Sequence, residues 1–211
     1  MVDGVYHMMK EELGTGIRES DIVAISNKML YEMGADGVEA INAVSGELCS
    51  PHPHNFTDRY FRPGDQAFFD ILQSYQGYRT CYYRTFNIGM STPCQVDAYV
   101  KARDWLDASI AMIKPGVTTD QVAAVWPTAQ ELGFGSELEA FGLQFGHGLG
   151  LALHERPIIS RAVSMENPMM IETGMVFALE TYCPATDGYS AARIEEEVVV
   201  TDTGCEVISL F

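Results

Sequence analysis

Gly116-Val117-Thr118-Thr119-Asp120-Gln121-Val122-Ala123-Ala124 repeats the pattern of Gly16-Ile17-Arg18-Glu19-Ser20-Asp21-Ile22-Val23-Ala24, about a hundred residues earlier. Each copy reads as a glycine, a polar N-cap, an amphipathic helix and a glycine stop, at Gly34 in the first and Gly133 in the second. Pro127 falls inside the second helix and is expected to kink it or shift its start. An all-strand stretch follows each helix. Gly64 lies six residues before Asp70, with Gly77-Tyr78 following across a turn. Gly174 lies six residues before Glu180, with Gly188-Tyr189 following in the same way. A repeat of this length predicts two pseudo-twofold-related halves, each presenting one carboxylate to a central cleft. That is geometry for holding something positive.

Between the halves, Thr92-Pro93 opens a long helix to about Ile113, with threonine as cap and proline in the first turn. Tyr99, Ala102, Leu106, Ile110 and Ile113 supply apolar positions at helical spacing, and Lys114-Pro115-Gly116 ends the run. These elements predict an α+β domain, a curved antiparallel sheet covered by helices, with no linker inside the chain. At 211 residues, 47% hydrophobic and 20% charged, the composition is that of an ordinary globular protein. A formal charge of -16 excludes a general nucleic-acid or anionic-membrane surface. Five cysteines, odd in number and without CxxC spacing, argue against a disulfide framework or zinc ribbon and for a reducing, cytoplasmic setting. No stretch reaches membrane-spanning length, and the N-terminus lacks the pattern of a signal peptide.

The residues that carry chemistry are few. His147 is pinned between glycines in Phe145-Gly146-His147-Gly148-Leu149-Gly150, and His154 follows in His154-Glu155-Arg156-Pro157. Glycines there are expected to let a ligand approach the backbone closely. Asp70, Glu180 and Glu195 each interrupt an apolar strand, where an acid must be paired, protonated or bound to a cation. Taken singly, each has a plain explanation: a strand acid pairs with Arg84 or Arg193, and a buried histidine satisfies a carbonyl. Taken together, at repeat-related or glycine-flanked positions, the four point to a divalent-metal site. Glu196, next to Glu195, should face the other side of its strand. His54, with His52 beside it, sits in a loop where a histidine is usually just solvated. Trp105 and Trp126 are expected on helices as packing residues, and the methionines from Met165 to Met175 as adaptable filling.

These motifs resemble the catalytic domain of the pita-bread superfamily, which contains methionine aminopeptidase, aminopeptidase P, prolidase and creatinase. The resemblance runs from the Gly16 helix to the Glu195 strand. It rests on His147-Gly148-Leu149-Gly150 with His154-Glu155-Arg156-Pro157, on Gly174-Met175-Val176-Phe177-Ala178-Leu179-Glu180 and on Arg193-Ile194-Glu195-Glu196. It implies a single catalytic domain over residues 1–211, without the N-terminal lid domain of longer relatives, and a homodimer. By the same resemblance Asp70, His147, Glu180 and Glu195 are metal ligands. Glu180 is then also the base, and His54 and His154 face the substrate. The family pattern places a second, bridging aspartate eleven residues after the first, and this chain has Cys81 there.

The substitution narrows the chemistry. Asp70, Glu180 and Glu195 supply three negative charges, enough for one divalent ion but not two unless Cys81 binds as thiolate. The expected activity is hydrolysis of a C–N bond in a small peptide-like substrate, Xaa-Pro peptidase-like. The expected cofactor is Mn, Co, Zn or Fe, at most one per chain. Two alternatives stand beside it. A metal-independent, creatinase-type amidinohydrolase would hold a cationic substrate against the carboxylates. A non-catalytic binding protein or a lyase could also use the fold.

Overall fold

The computed structural model describes residues 1–50, 53–141 and 145–211, so His52 lies outside the described residues. The first half comprises α1 (Val2–Glu12), α2 (Glu19–Glu32), β1 (Gly37–Ser45), β2 (Gln66–Tyr75) and β3 (Tyr78–Asn87). The three strands form an antiparallel sheet in the order β1-β2-β3. Helix α1 was not anticipated from sequence. Val2, Val5, Tyr6 and Met9 bury one face of it. The Tyr6 hydroxyl lies 2.9 Å from Phe69 O and 2.6 Å from Tyr82 O, bridging β2 and β3. At the start of α2 the Glu19 carboxylate turns inward. It accepts from Ser45 Oγ at 2.5 Å, Thr57 N at 2.9 Å and Thr57 Oγ1 at 2.7 Å.

Helix α3 (Pro93–Met112) joins the halves, with Thr92 capping it as expected. Its buried stripe is Gln95, Ala98, Ala102, Leu106 and Ser109. Tyr99, read as part of that stripe, stands beside it and is exposed.

The second half holds α4 (Thr119–Ala123), α5 (Glu137–Phe141), β4 (Gly146–Gly148), β5 (Glu155–Ile159), α6 (Arg161–Ser164), β6 (Val176–Pro184), β7 (Ala191–Val200) and β8 (Cys205–Val207). Its strands form a five-stranded sheet in the order β5-β4-β6-β7-β8. Pro127 neither kinks α4 nor shifts its start; it truncates it. A proline ring collides with the carbonyl four residues earlier, which here is Ala123, the last helical residue. Trp126, expected on a helix, therefore lies in the turn beyond it. Its ring stacks on Phe145 at 4.7 Å between centroids and its Nε1–H donates to Thr181 Oγ1 at 3.1 Å. Of the methionine-rich stretch, Met175 packs against the core while Met165, Met169 and Met170 are exposed.

The internal repeat extends to individual hydrogen bonds. Gly16 and Gly116 have φ of +90° and +88°, and Gly64 and Gly174 have +89° and +87°. These are conformations that favour glycine, which explains the repeated residue. Gly16 N donates to Phe61 O and Gly116 N to Ile171 O, both at 3.1 Å. Phe61 N returns to Ile17 O at 2.9 Å, and Ile171 N to Val117 O at 2.8 Å. The α+β class and the two related halves expected from sequence are both present.

The two sheets meet at β3 and β7. The Thr85 hydroxyl donates to Arg193 O at 2.6 Å and accepts from Arg193 N at 2.9 Å. Arg84 donates to Glu195 O, and Glu197 accepts from Thr80 Oγ1 at 2.5 Å and Cys81 N at 2.7 Å. Side chains, rather than a strand ladder, stitch this seam. Among the described residues no helix is long and apolar enough to cross a membrane.

Strand β4 is squeezed between β5 and β6. A Cβ on Gly146 would lie 2.8 Å from Ala178 O, and one on Gly148 would lie 2.8 Å from Arg156 O. The glycines around His147 thus make room for the protein's own backbone, a different cause from the ligand approach expected. Gly146→Ala should therefore destabilise the fold by about 1–3 kcal/mol. Gly204→Ala, with open space around it, should be near neutral. Thermal denaturation of the two variants checks the contrast.

Candidate metal centre

The central cleft is lined by β2, β3, β4, β6 and β7. Cys81, His147 and Glu195 each offer a donor atom within 4.8 Å of the others, and all three are buried. His147 Nε2 lies 3.9 Å from Glu195 Oε1. Its Nδ1 lies 3.0 Å from Gly148 O. A carbonyl can only accept, so that contact puts the proton on Nδ1 and leaves the Nε2 lone pair facing Glu195. Glu195 is fully buried, and among the described residues its Oε1 has no hydrogen-bond partner. A buried carboxylate oxygen without a donor needs a cation or a proton. Sulfur, imidazole nitrogen and carboxylate oxygen converging on one point form a donor set that fits one divalent ion.

The other two expected ligands border this group. Asp70 Oδ1 is 3.5 Å from Cys81 Sγ, and its Oδ2 accepts from Asn42 Nδ2 at 3.1 Å. Tyr83 stands opposite Asp70 in the β2–β3 register and helps to hold down the pKa of its carboxylate. Glu180 stands directly opposite Glu195 in the β6–β7 register. Its Oε2 is taken by the Arg193 guanidinium, which also lies 4.2 Å over the Tyr83 ring. The plain pairing considered for a strand acid thus holds for Glu180. It also holds for Glu196, which bonds Arg84 at 2.8 Å and Arg103 of α3 at 2.7 Å on the opposite face from Glu195.

His154 is exposed at the mouth of the cleft, its ring 4.3 Å from that of His147. His54 is exposed and lies within electrostatic reach of Arg193, Glu180 and His154. The loop carrying it is held by Asn55 O, which accepts from Ala43 N at 3.0 Å, and by the Thr57–Glu19 bonds.

Burial dominates the electrostatics. Removal from water pushes Asp70 and Glu195 above the usual carboxylate range, with neighbouring Glu180 adding to both and Arg193 opposing. Burial also raises the Cys81 thiol, reinforced by Asp70 and Glu195. It lowers His147, and partial shielding of the His54 ring, in a residue otherwise open to solvent, lowers that imidazole too, with Arg193 adding to the effect; both shifts favour neutral imidazoles. Without a bound cation the cluster is thus short of positive charge.

Three participants escaped sequence reading. Asn42 is a polar residue in an apolar strand, opposite Asp70 in the β1–β2 register. Tyr83 faces Asp70 in the same way across β2–β3. Glu197 is two residues beyond Glu195, so strand alternation places it on the same face.

With this geometry established, the chain is a member of metallopeptidase family M24, whose sequence profile matches residues 1–202. Its fold is the pita-bread fold of that family. The structure is similar to the crystal structure of dipeptidase PepE from Mycobacterium ulcerans, at 29% identity and TM-score 0.86, covering 100% of this chain and 55% of that one. It is also similar to the X-Pro aminopeptidase structure from Thermotoga maritima, at 25% identity and TM-score 0.86, covering 99% and 57%. The Xaa-Pro dipeptidase of Pyrococcus horikoshii is 27% identical over 198 residues, 92% of this chain and 54% of that protein. The chain spans about half the length of the curated relatives it matches.

Glu197 gives a pH signature. Burial raises its pKa to about 7 from an ordinary 4.5. The folded state therefore binds this proton more tightly, and the associated stability is present below about pH 4.5 and lost as pH rises through 7. The loss amounts to roughly 3 kcal/mol at full ionisation. Glu197→Gln keeps an acceptor for Thr80 and Cys81 but carries no charge. Its melting temperature should exceed that of the parent protein at pH 8, with the gap closing by pH 5.

Proposed function

We propose that this chain carries a metal-dependent hydrolase that cleaves the C–N bond of a small Xaa-Pro-type peptide, at a centre holding one divalent ion, Mn, Co, Zn or Fe. The observation that carries the reading is the unpartnered Glu195 Oε1 facing the His147 Nε2 lone pair in a fully buried position. The names of the relatives, dipeptidase and Xaa-Pro dipeptidase, support the substrate class. Cys81, standing where the family pattern has a bridging aspartate, supports one ion rather than two. So does charge: the Arg193 guanidinium already balances Glu180, leaving Asp70 and Glu195 for a single divalent cation.

When bound, such an ion polarises the scissile carbonyl and lowers the pKa of water toward neutrality. The chain's own groups supply the rest. Glu180, oriented by Arg193, accepts the proton of the attacking water. His154 donates a hydrogen bond to the oxyanion that develops on the carbonyl, worth about 3 kcal/mol. His54, from its loop above Glu180, orients the substrate and delivers a proton to the leaving nitrogen. The metal-independent reading on a cationic substrate is weaker, because Glu180 already holds a guanidinium of the protein itself.

Turnover of Xaa-Pro dipeptides should require added divalent cation. Glu180→Gln and His154→Ala should each lower kcat about a hundredfold with little change in KM. Steady-state kinetics on a dipeptide panel, run beside creatine-like guanidinium compounds, decides the matter. Cation-free turnover of the guanidinium compounds alone would overturn the proposal.

A further inference from the structure

We infer that Cys81 converts the centre into a thiolate–imidazole–carboxylate site, with Cys81, His147 and Glu195 as its three protein ligands, selective for zinc-like thiophilic ions over Mn²⁺ or Mg²⁺. The inference deepens the metal-dependent reading above and rests on it. Three protein donors with a fourth position open to solvent or substrate is the arrangement of catalytic zinc sites. Tetrahedral bonds of about 2.0–2.3 Å place neighbouring donors about 3.3–3.7 Å apart. Here His147 Nε2 is 3.9 Å from Glu195 Oε1, and Cys81 Sγ is 3.9 Å from Glu195 Oε2. The three donor atoms lie within 4.8 Å of one another, so closing the site on an ion takes an inward shift of up to about 1 Å.

The surroundings favour a ligand role over a buried inert thiol. Cys81 packs against Leu72, Leu149 and Ala178, yet its sulfur also faces two carboxylates, Asp70 at 3.5 Å and Glu195 at 3.9 Å, which an inert core thiol does not need. Glu195 Oε1, fully buried and without a donor, independently points to a cation at the same spot. The Cys81 amide donates to Glu197 Oε1 at 2.7 Å, which fixes the backbone beneath the sulfur. Ion binding replaces the S–H bond with a sulfur–metal bond and releases the proton to solvent. A soft thiolate then favours zinc, cobalt or ferrous iron, whereas an all-carboxylate set suits Mn²⁺ and Mg²⁺.

Cobalt reports thiolate ligation directly. Cobalt-loaded parent protein should show thiolate-to-cobalt charge-transfer absorption in the near ultraviolet. Cys81→Ser and Cys81→Asp, confirmed folded by circular dichroism, should lack it. Cys81→Asp should still bind cobalt by elemental analysis, and its preference for Zn²⁺ over Mn²⁺ in competition dialysis should fall at least tenfold. Loss of the band in Cys81→Ser assigns it to Cys81 among the five free cysteines, and a band that persists in both variants overturns the inference. Cobalt bound to the parent protein without that band overturns thiolate ligation and leaves the metal-dependent reading standing. Failure of the parent protein to take up cobalt or zinc overturns both.

Discussion

Everything in this molecule turns on a polar seam. Two sheets from two related halves meet at β3 and β7, and no continuous ladder joins them. Thr85, Arg84, Thr80 and Glu197 instead bond backbone and side chains across the gap. Buried polar groups are costly unless each finds a partner, so the seam has few workable arrangements. The same residues that join the halves hold the cleft in shape. Cys81 takes its backbone bond from Glu197, and Arg193 is fixed by Thr85 while its guanidinium reaches Glu180.

The cleft inherits an imbalance from this construction. Asp70, Glu180 and Glu195 converge, and among the described residues Arg193 is the cation that answers them from within the group, against Glu180. Removing several carboxylates from water raises their proton affinity and opposes folding unless positive charge arrives. A divalent ion held by Glu195 and His147, as proposed, would restore the balance, and binding to the folded state alone would stabilise it by mass action. Stability and chemistry are in this way coupled through one set of atoms.

How much of this could be read from the chain varies with the physics. The repeat was legible because a positive φ demands glycine, so Gly16, Gly64, Gly116 and Gly174 recur at matching places. His147 and Glu195 were legible as polar interruptions of apolar strands. Arg193 against Glu180 was only one of several possible pairings. It depends on a diagonal contact across β6–β7, and register is set by the whole hairpin. The truncation at Ala123 was half visible: Pro127 signalled disruption, while the length of helix lost follows from packing that sequence does not display. Helix α1 went unread because its apolar face, Val2, Val5, Tyr6 and Met9, is short and its docking partners come from β2 and β3. The glycines beside His147 were noticed for the wrong reason, since crowding by neighbouring strands leaves the same mark as room for a ligand.

The loop that presents His54 has neither helix nor strand of its own over residues 53–59, and borrows its position from Glu19 through Thr57. Glu19 is fully buried at the head of a helix, and its carboxylate bonds Ser45 and Thr57. Substitution at Glu19 would leave Ser45 and Thr57 without their buried acceptor, so folding and the placement of the His54 loop would suffer together, and a survey that scores only residues lining the cleft would overlook it.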